Sequence, residues 1–193
     1  MAMAEEICKA LEPVTTRREI VGSLRRRKPE VGDIEIVCAP VMVSTLLGDK
    51  APALFAIRDV LGELGTLCKD GDKLKSVTLR SGVVLELHIV SDPAAWGYKM
   101  TICTGDQDFS HLAVSPSNRM ITLDGGGQHA GYLPPFYRID GCRVVHHTTG
   151  DVFPTLEEDD FLAVLGLRGL SPVGRSVQAA DELLKGAAHV FHP

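Results

Sequence analysis

No run of about eighteen apolar residues occurs anywhere in the 193-residue sequence, so a membrane span is not expected. The opening residues, Met-Ala-Met-Ala-Glu-Glu, lack a basic stretch followed by an apolar core and a small-residue cleavage site. No secretory leader is expected, and a cytoplasmic location is. Cysteine is sparse: Cys8, Cys38, Cys68, Cys103 and Cys142 are scattered, odd in number and without any Cys-x-x-Cys pair. That pattern suggests neither a disulfide framework nor a zinc site, and the adjacent His146 and His147 do not supply one. Asp124-Gly-Gly-Gly-Gln128 is glycine-rich but is followed by no Gly-Lys-Ser or Gly-Lys-Thr, which excludes a P-loop. An excess of basic charge is missing too. With 20 Lys and Arg against 25 Asp and Glu, the net charge is −5 and the pI is near 5.8. A chain of that sign does not coat nucleic acid by bulk electrostatics. Any grip must be local, and Arg25-Arg26-Arg27-Lys28, with Arg17 and Arg18 upstream, is the local candidate.

What is present is enough apolar material for a core. Hydrophobic residues make up 45%, charged residues 23%, and mean hydropathy is +0.09, which fits one compact unit with a small appendage. Met3, Ile7 and Leu11 predict a short amphipathic helix over residues 3 to 12, ended by Pro13. Arg18 to Val21 reads as a brief strand running into a tight turn at Gly22-Ser23. Residues 33 to 39 read as a second strand closed by Pro40. Leu54, Ile57, Val60, Leu61 and Leu64 predict a helix from about Ala51 to Leu64 that covers one face of a sheet. Lys75 to Leu79 and Val83 to Val90 form a predicted hairpin through Arg80-Ser81-Gly82. A further strand is expected around Tyr98 to Cys103, and a short helix around Phe109 to Val114 before a turn at Pro116. Thr155-Leu-Glu-Glu158 has the form of a capping box before a helix that stops at Gly166 or Gly169. A last helix is expected from Gln178 to Lys185.

Asp33 and Glu35 are two apart on a strand, so both carboxylates leave one face while Ile34 and Ile36 enter the core. That arrangement presents two hard oxygen ligands to a magnesium ion, which commonly takes one or two carboxylates plus substrate phosphates. Glu86, the one acid in the apolar run Val83-Val-Leu-Glu-Leu-His-Ile-Val90, is the best third carboxylate, because a charge there is costly unless paired or metal-bound. Taken alone, the acids also fit a solvated sheet face and the basic cluster a solvated loop. Their closeness to the Gly22-Ser23 turn favours convergence of amides, hydroxyl, cations and metal carboxylates on a triphosphate.

The stretch Gly22-Ser-Leu-Arg-Arg-Arg-Lys-Pro-Glu-Val-Gly-Asp-Ile-Glu35 resembles the Gly-Ser-x-Arg-Arg and Gly-Asp-x-Asp signature of family X DNA polymerases, members of the DNA polymerase β-like nucleotidyltransferase superfamily. Trp96-Gly-Tyr98 with Cys103-Thr-Gly105, and the segment Phe153 to Leu167 with Pro172 and Arg175, are similar to later segments of the same family. The resemblance implies an α+β fold: a nucleotidyltransferase palm over residues 1–104, with helices on one face of a mixed sheet, and a small thumb-like subdomain over 105–193. It further implies that Gly22, Ser23 and Arg26 contact a nucleoside triphosphate and that Thr104 and Gly105 line its sugar pocket. Asp33, Glu35 and Glu86 would hold two magnesium ions, or manganese, for transfer of a nucleotide to a DNA 3′-hydroxyl. Arg25, Arg27 and Lys28 are left to touch nucleic acid. Too few residues precede Gly22 for the amino-terminal modules that hold gapped DNA, so a monomer with weak, salt-sensitive binding to a DNA primer or primer-template is expected.

Glutamate stands at 35 and 86 where the family usually has aspartate, and Cys103 stands where an aromatic residue precedes Thr-Gly. An added methylene moves each carboxylate by roughly a bond length against a metal–oxygen distance of about 2.1 Å. A shifted backbone, a preference for manganese, or binding without turnover would each accommodate it. Transfer to RNA, a protein or a small molecule is the alternative enzymatic expectation, and a catalytically silent nucleotide-binding protein the non-enzymatic one.

Overall fold

The computed structural model describes residues 1–45 and 48–190, with side chains up to residue 186. The chain divides into two compact units, Met1–Asp92 and Pro93–Pro193, each with its own apolar core. The expected boundary after Thr104 falls inside the second unit, because residues 96–104 form a helix that packs within it.

The first unit is built on a five-stranded sheet. Helix α1 (Ala2–Ala10) leads into β1 (Thr15–Ile20), the short helix α2 (Gly22–Arg25) and β2 (Asp33–Pro40). A small pair, β3 (Met42–Ser44) and β4 (Lys50–Pro52), precedes α3 (Leu54–Leu64). Then come β5 (Gly65–Asp70), β6 (Leu74–Leu79) and β7 (Val84–Ile89). The sheet order is β1-β2-β7-β6-β5, with β2 parallel to β7 and the other neighbours antiparallel.

The periodicities explain the layers. Ala4, Ile7 and Leu11, three and four apart, and Ile57 and Leu61, four apart, put apolar stripes on α1 and α3. They pack with Ile34, Ile36, Leu85, Leu87 and Val77, which share one sheet face because strand side chains alternate. Helix α3 starts three residues later than the spacing suggests, since Ala51 precedes Pro52 and is held extended in β4. Beside α3, the buried Lys75 is neutralised by Asp70, which also faces Arg58 Nε at 3.4 Å. The β6–β7 turn matches expectation, with Gly82 at φ 85° and its N–H bonded to the Leu79 carbonyl at 2.9 Å.

The second unit contains α4 (Trp96–Thr104), α5 (Gln107–Ala113), the hairpin β8 (Met120–Thr122) and β9 (Gln128–Ala130), and the three strands β10 (Tyr137–Asp140), β11 (Arg143–His146) and β12 (Val152–Phe153). Helices α6 (Glu158–Val164) and α7 (Val177–Val190) follow. The strand expected over Tyr98 to Cys103 is therefore the helix α4. Its Trp96, Gly97, Tyr98, Met100, Thr101 and Thr104 are all buried, so no polar face marks a helical period. The capping box lies two residues later than expected: the Glu157 side chain accepts from the N3 backbone and Asp160 reaches back to the Glu157 N–H at 2.8 Å. Thr155 instead receives the Tyr98 N–H at 3.2 Å and donates to the Ala94 carbonyl at 2.9 Å. Helix α6 is capped by Leu165 before Gly166 at φ 73°, as expected. No described helix is long and apolar enough to cross a membrane.

Helix α7 is tied to the β8–β9 hairpin by a polar triad. His129 Nε2 lies 3.0 Å from Asp181 Oδ2, and the Tyr132 hydroxyl donates to Asp181 Oδ1 at 3.0 Å. His129 Nδ1 faces the Ala130 carbonyl at 2.6 Å, so only the imidazolium donates on both sides. Burial of the ring lowers its pKa, but the Ala130 carbonyl and the Asp181 carboxylate more than offset that and leave it raised. A raised histidine contributes stability below its unfolded value of about 6.5 and loses it as pH climbs through the folded value. Thermal melting of wild type and His129→Ala should therefore differ most below about pH 6.5 and converge as pH rises past the folded value. A difference that grows with pH would refute the assignment.

Candidate functional site

The candidate functional residues of the first unit are placed by one register. In the parallel pair β2 and β7, Glu35 lies directly opposite Glu86, with Asp33 opposite Val84 and Val37 opposite His88. Ile34, Ile36, Leu85 and Leu87 fill the core, so Asp33, Glu35, Glu86 and His88 emerge together from the other face. The three sequence-derived carboxylates thus share a face. Among the described residues, one group of three potential ligands comes within 4.8 Å of one another, and it is Glu35, Glu86 and His88, without Asp33.

His88 Nε2 stands 3.9 Å from Glu35 Oε1, and Lys69 Nζ stands 3.4 Å from Glu86 Oε1. Neither His88 nor Lys69 was singled out by the sequence pattern. His88 carries a signal all the same: it has the same parity as Glu86 in an apolar strand. Lys69 carries none, because it follows a register irregularity in β5. Burial, then Glu35, then Glu86 raise the Asp33 pKa against the opposing pull of its own backbone hydrogen bond.

The turn beside these acids is bonded to them through the backbone. The Val21 N–H donates to the Glu35 carbonyl at 2.9 Å, which locks the end of β1 to the middle of β2. Gly22 follows at φ 64°, a left-handed conformation that glycine adopts without penalty. A Cβ built there would overlap the Glu35 carboxylate, so the absence of a side chain at 22 makes room for the long acid at 35. The turn then tightens through Arg26 N–H to Gly22 O at 3.1 Å and Lys28 N–H to Ser23 O at 3.0 Å, with Arg27 left-handed at φ 56°. The Ser23 Oγ is buried and has no hydrogen-bond partner among the described residues. Arg25 and Arg26 are half-buried, whereas Arg27 and Lys28 are exposed.

Thr104 and Gly105 belong to the second unit. Thr104 ends α4 and is fully buried, and Gly105 donates to the Thr101 carbonyl at 3.1 Å while packing against Phe109 and Ser110. A cleft of about 280 Å³ in that unit, lined by Tyr137, His146, Thr149, Asp151, Val152 and Phe153, holds none of the residues predicted from sequence to bind nucleotide. In comparisons with known proteins, the chain matches no family model and no curated protein.

Two outcomes follow from this geometry. Gly22→Ala places a side chain at a left-handed φ, costing roughly 1–2 kcal/mol, and pushes the Glu35 carboxylate aside. Denaturant midpoints should show a smaller loss from Gly22→Ala on a Glu35→Ala background than on wild type; equal losses would mean the two side chains do not compete. Asp33→Asn should raise the melting temperature of metal-free protein at neutral pH. An acid with a raised folded pKa costs stability when ionised, so the gain should vanish below about pH 3.9, where the carboxyl is protonated in both states. A gain that persists at that pH would contradict the electrostatic cause.

Proposed function

We propose that the chain is a metal-dependent nucleotidyltransferase, a minimal family X-like DNA polymerase whose first unit acts as palm and whose second acts as a thumb-like appendage. The observation that carries the reading is the direct pairing of Glu35 with Glu86 on the face that also presents Asp33, with the Gly22-Ser23 turn packed onto Glu35. A set of three carboxylates on adjacent strands suits divalent metal. The buried, unpartnered Ser23 hydroxyl suits a phosphate oxygen beside it.

In this reading Ser23 and Arg26 orient the triphosphate, and Asp33, Glu35 and Glu86 hold two ions. Bound there, the metals would lower the pKa of an attacking 3′-hydroxyl and stabilise the entering and leaving oxygens of an in-line displacement. Gly22 keeps the turn close enough to Glu35 for both ends of the substrate to be gripped at once. Arg27 and Lys28, exposed on the rim, supply the cationic contact to the primer strand. With so few contacts, Arg25 included, binding is weak and falls with salt in proportion to their number.

The test is primer extension on single-stranded, gapped and blunt DNA with each nucleotide, in magnesium and in manganese, with Asp33→Ala as control. Extension that Asp33→Ala lowers by at least about a hundredfold is expected, the size of effect seen when a transition-state electrostatic contact is removed. No extension in either metal, with RNA and small-molecule acceptors equally inert, would overturn the reading and leave a nucleotide-binding protein without turnover.

A further inference from the structure

The proposed metal site is described above by its carboxylates alone, and His88 stands among them unused. We propose that His88 is itself a metal ligand, so that Glu35, Glu86 and His88 form a two-carboxylate, one-imidazole site for a first-row transition-metal dication in preference to magnesium. The inference rests on the metal site of the preceding reading and adds the identity of its ion.

Distance is the first reason. His88 Nε2 and Glu35 Oε1 are 3.9 Å apart, too far for a hydrogen bond. Two ligand atoms each about 2.1 Å from one ion lie at most about 4.2 Å from each other. The gap is therefore the one that a shared ion spans. The ligand atoms of all three residues lie within 4.8 Å of one another, so side-chain rotation without backbone movement can bring the wider pairs inside the limit of about 4.2 Å.

Placement is the second reason. The side chains of His88, Glu35 and Glu86 are 12%, 25% and 27% exposed. The ring is thus largely withdrawn from water but not sealed in the core, and it comes from the backbone position two beyond Glu86 on the same face of β7. The ring stands on the face opposite Leu85, Leu87 and Ile89, the face that also carries Glu35 and Glu86. Lys69 engages one Glu86 oxygen at 3.4 Å, and the carboxylate has a second oxygen to offer.

Chemistry is the third. Magnesium keeps to oxygen donors in near-octahedral geometry, whereas imidazole is a good ligand for the later divalent ions, and manganese accepts carboxylate with nitrogen. One nitrogen in the set therefore biases selection toward manganese and its heavier neighbours. The longer arms at 35 and 86, relative to aspartate, are what let the two carboxylates reach toward a ring on the next pleat.

The test uses the full chain with Mn²⁺ as probe, in the absence of nucleotide and DNA. Pulsed electron paramagnetic resonance should show coupling of the bound Mn²⁺ to an imidazole nitrogen, and a large excess of Mg²⁺ should leave most of the Mn²⁺ in place. His88→Gln should abolish the nitrogen coupling and weaken Mn²⁺ binding by at least about tenfold. Circular dichroism checks that the variant is folded, with His88→Asn as the second variant. Mn²⁺ bound without nitrogen coupling, or bound as tightly by folded His88→Gln, overturns the proposal while leaving the polymerase reading to its own assay. Failure to bind Mn²⁺ at all, together with absent primer extension, overturns both.

Discussion

Parallel pairing of β2 with β7 is the constraint on which the first unit depends. The strands are separated in sequence by β3 to β6 and α3, so this contact closes a long loop before it is rewarded by burial. Once formed, it sets Ile36 beside Leu87 under the helices and Glu35 beside Glu86 on the opposite side. A slip of one residue would exchange the two faces of β2, sending the isoleucines out and the acids in. The apolar core thus enforces the proximity of like charges, and Asp33, its pKa raised first by burial and then by Glu35 and Glu86, bears part of that cost.

How much of this was legible in the sequence depended on whether each segment has one wet face. Asp33-Ile-Glu-Ile36 alternates cleanly, and so the strand, its inward residues and its outward acids were readable in advance. The stripes of α1 and α3 were readable for the same reason. Helix α4 was not: Trp96, Tyr98, Thr101 and Ile102 are residue types that favour strands, and burial of most of the helix erases its period. Gly97 adds to the disguise, since it sits where α4 passes against the backbone of Glu157, a close approach that only the folded unit explains. Strand β5 is polar and largely exposed, and β10 to β12 are short, so none stood out from loop composition.

The site was legible in its acids and incomplete in its neighbours. Asp33, Glu35 and Glu86 could be assigned to outward-facing positions from strand parity, but only the register shows Glu35 and Glu86 directly opposed. Parity alone was enough to place His88 with Glu86, and the apolar character of the surrounding run hid it. The relation of Gly22 to Glu35 could not have been read from spacing, because it depends on a backbone bond between Val21 and Glu35 that brings the turn over the strand.

That bond has a consequence for how such a site can change. The Gly22 turn and the acid-bearing strand β2 are joined by that hydrogen bond, so neither can be shifted by substitution without dragging the other. A side chain at position 22 meets two penalties, its left-handed φ and the Glu35 carboxylate, and shortening the acid at 35 removes only the second. Positions 22 and 35 therefore form a single two-letter word, in which spelling one letter restricts the other.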